Sequence, residues 1–229
     1  MKTLALSYGI LFFSLTVGTM AYAQDWPDIN RYSKANEALG TPAPGERRVV
    51  FLGNSITEGW GHHHPEYFLR PDYINRGIGG QTTPQMLLRF RSDVINLKPE
   101  VVVILAGTND IAGNTGPMTL EQIRDNIISM SELARANGIA VVISSVLPAF
   151  EYTWRPGLEP NVKIPKLNSM LKAYADNEGF VYLDYFSAMT DGRNGLPKKY
   201  SEDGVHPNKA GYLAMEPLAD KAIGEALRH

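Results

Sequence analysis

The chain has 229 residues, 44% hydrophobic and 20% charged, a balance that supports one sizeable apolar core and excludes disordered and fibrous classes. Its formal net charge is −2 with Lys and Arg scattered rather than clustered, which argues against nucleic acid or an anionic membrane surface as a partner. There is no cysteine, so disulfides, thiolate chemistry and cysteine-based metal sites are excluded.

Lys2 precedes an uncharged apolar run from Leu4 to Val17, and Ala21-Tyr22-Ala23 comes next as a small-x-small pattern. This is the layout of a secretory signal peptide cleaved after Ala23. It predicts a periplasmic or secreted protein with no stable membrane association once the segment is removed. The same uncharged stretch, continued to Gln24, nearly spans a bilayer, so an uncleaved anchor is the alternative. Residues 24–45, rich in Pro, Asn and Gly, read as an extended lead-in whose Trp26 and Tyr32 can pack on the surface of the fold, and one domain is expected over residues 46–229.

From Glu46 onward, short runs dense in β-branched residues alternate with longer segments of helical period. That pattern predicts an α/β fold, a mainly parallel five-stranded sheet covered on both faces. The strand candidates are Arg48–Leu52, Tyr73–Asn75, Val101–Leu105, Ala140–Ser144 and Phe180–Leu183. A helix is expected from Thr83-Pro84, with Met86, Leu87, Phe90 and Val94 inward. Another is expected after the capping pair Thr119 and Gln122, with Ile123, Ile127 and Met130 on one face and Asn137-Gly138 ending it. The last runs from about Lys209 to Leu227. Gly107–Met118 and Leu147–Ile164 are long for plain connections and are expected to line the site.

Ligands of open parallel α/β sheets bind outside the carboxyl ends of the strands. The segments there are Gly53-Asn54-Ser55-Ile56-Thr57, Asn75 to Thr82, and Gly107-Thr108-Asn109-Asp110, and Asp203-Gly204-Val205-His206-Pro207 precedes the last helix. A serine hydroxyl becomes a competent nucleophile when a histidine takes its proton and a carboxylate orients that histidine. Ser55, His206 and Asp203 can supply these three roles. A tetrahedral oxyanion needs donors fixed in advance, and the Ser55 N–H, the Gly79-Gly80 backbone and the Asn109 amide can supply them.

These blocks resemble those of the SGNH hydrolases, also called GDSL esterases and lipases. Gly-Asn-Ser-Ile-Thr, Gly-Ile-Gly-Gly-Gln-Thr-Thr, Gly-Thr-Asn-Asp and Asp-Gly-Val-His-Pro occur in the expected order between about residues 48 and 210. The resemblance implies a three-layer α/β/α sandwich of flavodoxin-like type and ester hydrolysis without metal or cofactor. It names Ser55, Gly80, Asn109 and His206, with Asp203 orienting the histidine. Two residues depart from the family pattern: Asn54 stands where Asp is common, and Gln81 where an acidic residue is frequent.

His62-His63-His64 invites a metal reading, but consecutive residues do not converge on one centre in regular structure, and an exposed or site-rim loop is expected. Arg76 can pair with Asp110 or Glu58. Trp60 and Trp154 are candidates for substrate binding by stacking on a sugar or acyl group, or else are packing residues. The expected activity is that of an exported serine esterase acting on a small-molecule or glycan ester with a short acyl group such as acetate. The alternatives are a lipase, lysophospholipase or thioesterase, and a catalytically silent carbohydrate-binding protein.

Overall fold

The computed structural model describes residues 25–228; the expected signal peptide and its cleavage site lie outside them. Five strands, β1 (Val49–Gly53), β2 (Tyr73–Gly77), β3 (Val101–Leu105), β4 (Ala140–Ser144) and β5 (Val181–Leu183), form one parallel sheet in the order β2-β1-β3-β4-β5. This is the flavodoxin-like order, and helices cover both faces to give a three-layer α/β/α sandwich.

Successive strand residues point to opposite faces, and each face has its own core. Val50, Leu52, Val102 and Ile104 pack with Met86, Phe90, Ile123, Ile127 and Leu167. Val49, Phe51, Val101 and Val103 pack with Ile56, Trp60, Met215 and Ile223. Because both faces are covered, β1 and β3 are buried along their whole length, which is why they read as unbroken apolar runs rather than as alternating ones.

The first face is covered by α3 (Thr83–Asp93), α5 (Leu120–Ala136) and α6 (Pro160–Glu178), and the second by α2 (Ser55–His63), α7 (Tyr185–Met189) and α8 (Lys209–Ala226). A short α4 (Thr108–Ile111) comes directly after β3, and α1 (Ser33–Leu39) packs on α3. Helices α3 and α5 begin where the sequence signals them, each with a complete capping box, Thr82 with Gln85 and Thr119 with Gln122.

Several helices differ from expectation, among them α4, which falls inside the expected Gly107–Met118 loop, and α7, which follows β5. The lead-in contains α1. Ser55 opens α2 rather than sitting in an open loop. The end of the expected Leu147–Ile164 loop, from Pro160 onward, belongs to α6, which runs on to Glu178 despite Pro160 and Pro165. Pro160 occupies a first-turn position, where a missing N–H costs nothing. Pro165 deprives the Asn161 carbonyl of its helical donor, and the Asn194 side-chain amide fills that place at 3.0 Å.

Candidate active site

The chain runs outward from β1 in both directions, to β2 on one side and β3 on the other, so the loops after β1 and β3 part and leave a crevice at the carboxyl edge of the sheet. Asn54 turns the chain from β1 into α2 as its N-cap, with its side-chain oxygen accepting from the Ile56 N–H at 3.0 Å. Asn54 does this without adding a charge beside Ser55, which an aspartate would do. Ser55, the first residue of α2, extends its Oγ to within 2.9 Å of His206 Nε2.

His206 lies in a tight turn before α8, and its Nδ1 is 2.6 Å from Asp203 Oδ2. With a carboxylate facing Nδ1, the proton belongs on Nδ1, and Nε2 is the acceptor for the Ser55 hydroxyl. The other Asp203 oxygen accepts from the Val205 N–H at 2.9 Å, the His206 N–H at 2.8 Å and Ser201 Oγ at 3.0 Å. Burial raises the Asp203 carboxyl, but these hydrogen bonds and the imidazole outweigh it and hold the group down at about 2. The acid is therefore ionised throughout the range in which a histidine works as a base.

The residues expected to bind an oxyanion come from three connections: Ser55 opens α2, Gly80 lies in the loop between β2 and α3, and Asn109 is in α4. Among the described residues, no internal acceptor takes the Ser55 or the Gly80 N–H. Gly80 has φ +77°, and a Cβ there would meet nothing within 4 Å. Its glycine is thus required by backbone conformation and not by a close approach. Gly79 differs again: its N–H is engaged by Glu58 Oε2 at 2.8 Å, so only one of the two glycine N–H groups stays free. The Asn109 side chain is buried, and its Nδ2 donates one proton to the Gln81 carbonyl at 2.9 Å. That bond fixes which amide atom is nitrogen and leaves the second N–H available.

The neighbouring Asp110 does not pair with Arg76. Its Oδ1 accepts from the Thr83 N–H at 2.9 Å and the Thr83 hydroxyl at 2.6 Å, tying the loop after β3 to the start of α3, and burial pushes its carboxyl upward. Arg76 instead donates to Asn36 Oδ1 at 2.8 Å and lies over the Tyr32 ring, while Glu58 pairs with Arg31 at 2.8 Å.

The two tryptophans separate cleanly. Trp60 is 1% exposed, stacked on Tyr67 and Tyr212 and edge-on to Phe51, so the substrate-binding reading of Trp60 is corrected to a packing role. Trp154 is 47% exposed and stacks between Tyr152 and the His206 ring, whose centroid is 6.4 Å away. It presents an exposed aromatic face beside His206. His62 and His63 end α2, with His63 against Tyr212, and His64 Nδ1 is 2.5 Å from Glu216 Oε1, so the histidines belong to a helix end rather than to a loop.

One residue absent from the sequence reading organises this region. Arg89, fully buried on α3, donates to the Gly53 carbonyl at 3.0 Å, the Arg76 carbonyl at 2.9 Å and Gln81 Oε1 at 2.6 Å, and pairs with Asp93 at 3.0 Å. It joins the ends of β1 and β2 to the loop that carries Gly80. The available signal was an Arg–Asp pair four residues apart among the apolar positions of α3. The two long segments line one cavity of about 630 Å³ whose wall includes Asp110, the neighbour of Asn109, but not Ser55, Gly80 or His206. Its walls include Arg155 and Lys163, and also Ile111, Pro117, Met118 and Leu158, a more apolar surface than the Gly107–Met118 composition indicates.

The chain is similar to an acetylxylan esterase of Xylanibacter ruminicola, with 26% identity over 219 residues that cover 80% of this chain and 44% of that protein. It is 30% identical over 178 residues to esterase TesA of Pseudomonas aeruginosa, covering 76% and 80% of the two chains. It spans about half the length of some of the curated relatives it matches. Among solved structures, a GDSL-like lipase of Bacteroides thetaiotaomicron shares 48% identity and superposes with a TM-score of 0.85 over 87% of this chain and 98% of its own. The pattern of the GDSL-like Lipase/Acylhydrolase family matches residues 51–214. By that match and these neighbours, the chain belongs to the GDSL-like lipase/acylhydrolase family.

Proposed function

We propose that this chain is an exported serine esterase that removes short acyl groups, acetate foremost, from carbohydrate. The observation that carries the reading is the continuous hydrogen-bonded path from Ser55 Oγ through His206, at 2.9 Å, to Asp203, at 2.6 Å. Ser55 attacks the acyl carbonyl as His206 Nε2 takes its proton. The tetrahedral oxyanion is met by the Ser55 and Gly80 N–H groups and the free Asn109 amide proton, with the positive end of α2 behind them. The imidazolium, stabilised by ionised Asp203, returns the proton to the leaving alcohol. Water then repeats the sequence on the acyl-enzyme.

The carbohydrate part rests on Trp154, an exposed aromatic face beside His206, and on similarity to a protein named for acetylxylan. Export rests on the Lys2, Leu4–Val17 and Ala21–Ala23 pattern. A second reading, a longer acyl chain, is favoured by the apolar part of the cavity at Ile111, Met118 and Leu158. A series of p-nitrophenyl esters separates them. Each buried methylene is worth about 0.8 kcal/mol, so kcat/KM climbing from acetate to octanoate supports the second reading, and a fall supports the first. An inert wild-type protein on every ester, including acetylated oligosaccharides, leaves only carbohydrate binding.

A further inference from the structure

We infer that residues 25–32 form a strap that positions the oxyanion loop, with Arg31 and Gln81 as positioning residues; this rests on the esterase reading above. The strap is folded in its own right. Asp25 accepts from the Ile29 N–H at 3.0 Å and from the Asn30 N–H and side-chain amide, each at 3.2 Å.

It then holds the loop between β2 and α3 and the elements that flank it at four places, Gln81 in the loop itself, Gln85 in α3, Gly77 in β2 and Glu58 on α2. Gln81 Nε2 donates to the Pro27 carbonyl at 2.7 Å and Gln85 Nε2 to the Trp26 carbonyl at 2.7 Å. The Tyr32 hydroxyl donates to the Gly77 carbonyl. Arg31 holds Glu58 Oε1 at 2.8 Å, and the other oxygen of that carboxylate takes the Gly79 N–H at 2.8 Å.

These contacts surround Gly80 without touching its N–H. Two adjacent glycines make the loop intrinsically free in φ and ψ. Here Gly79 is fixed from the Glu58 side, and Gln81 from three sides: its carbonyl by Asn109, its amide oxygen by Arg89 at 2.6 Å, and its amide nitrogen by Pro27. The Gly80 N–H is thereby aimed, while its own hydrogen-bonding capacity stays unspent.

The identity of residue 81 comes from the same geometry. An ionised carboxylate there accepts from Arg89 but cannot donate to the Pro27 carbonyl, and it sets two acceptors against each other. An amide serves both. Glutamine in place of the acid frequent in the family is thus the residue that a docked strap requires.

The test uses the full chain with Arg31→Ala, Arg31→Lys and Gln81→Glu. Arg31 is half exposed and Gln81→Glu is isosteric, so all three are expected to fold, which thermal melting verifies. A displacement of about 1 Å at a reacting centre costs on the order of 10²-fold, and a loosened donor less. Arg31→Ala and Gln81→Glu are therefore each expected to lower kcat for p-nitrophenyl acetate about 10-fold. KM should stay within about twofold, and Arg31→Lys should recover most of the loss. Amide hydrogen exchange in residues 77–82 should accelerate in Arg31→Ala and Gln81→Glu and not in Arg31→Lys. Unchanged exchange there, or kcat within about twofold of wild type in both Arg31→Ala and Gln81→Glu, overturns the strap. A wild-type protein with no esterase activity overturns the functional reading instead, and the exchange measurement still decides whether the strap holds the loop.

Discussion

Glu58 stands one turn beyond Ser55 on α2, so a single helix carries both the hydroxyl 2.9 Å from His206 and the carboxylate 2.8 Å from the Gly79 N–H. The nucleophile and the oxyanion loop are therefore referenced to one rigid support. Gly77 makes the junction tight: a Cβ there would lie 2.1 Å from the Glu58 nitrogen, so the end of β2 packs directly on the helix backbone. Substitutions in this unit should separate chemistry from folding.

Ser55→Ala removes the hydroxyl from the first position of a helix and leaves the Asn54 cap in place. We expect a folded protein whose kcat is at least about 10⁴-fold lower and which no longer takes up an organophosphonate covalently. Stoichiometric labelling of the variant at the wild-type rate contradicts the nucleophile assignment.

Asn109→Ala should lower kcat by about 10²- to 10³-fold with little change in KM, because the amide acts on charge that exists only in the transition state. The substitution also frees the Gln81 carbonyl, so some loss of thermal stability should accompany it. A kcat within about threefold of wild type would show that Asn109 serves only to hold the loop.

Asp203 gives a pH signature. Its carboxyl is held at about 2 in the folded protein, below its ordinary value, so the stabilisation is complete above the unfolded value of about 4 and fades as the pH falls toward 2. The difference in melting temperature between wild type and Asp203→Asn should therefore be constant from pH 5 to 7, within the range above about 4, and close below it. At pH 7, Asp203→Asn should lower kcat by about 10⁴-fold, since the neutral amide no longer selects the Nδ1–H tautomer. A melting difference that instead grows on acidification contradicts the ionised pairing.

Trp60→Ala and Trp154→Ala should fail in opposite ways. Trp60 is enclosed by Phe51, Tyr67, Phe68 and Tyr212, and emptying its place should cost about 3–5 kcal/mol in urea unfolding. Trp154→Ala should leave the urea midpoint nearly unchanged and lower kcat/KM for an acetylated oligosaccharide more than for p-nitrophenyl acetate. Equal losses on both esters remove the carbohydrate role.

The parts of this architecture that were readable from sequence share one property: each depends on local chemistry. Unbroken apolar runs mark β1, β3 and β4, Pro84 in the first turn marks α3 and a capping box marks α5, and Ser55, Gly80, Asn109, Asp203 and His206 stand at the edge of the sheet to which a parallel fold must bring them. The rest is decided by distant partners. Helix α2 carries Gly59 and Gly61 and is held by burial of Ile56 and Trp60 rather than by propensity. Helix α6 survives Pro165 because Asn194 satisfies the freed carbonyl, a contact 33 positions away in sequence. Beyond the Arg89–Asp93 pair and the Arg89–Gln81 bond, Arg89 and Gln81 act on the backbone carbonyls of Gly53, Arg76 and Pro27, partners that carry no residue-specific signal.

Ser55 and His206 meet across 151 positions of sequence, and His206 immediately precedes the last helix. Glu216 and Asp220 on that helix bind His64, Tyr67 and Arg70 from the first half of the chain. Contacts of such separation form late, after the cost of closing long loops has been met. During refolding, collapse and sheet formation should thus precede the first phosphonate-reactive molecule. Active-site titration then serves as a clock for the docking of the C-terminal helix, and a chain arrested before its last 30 or so residues emerge from synthesis holds its serine without a base.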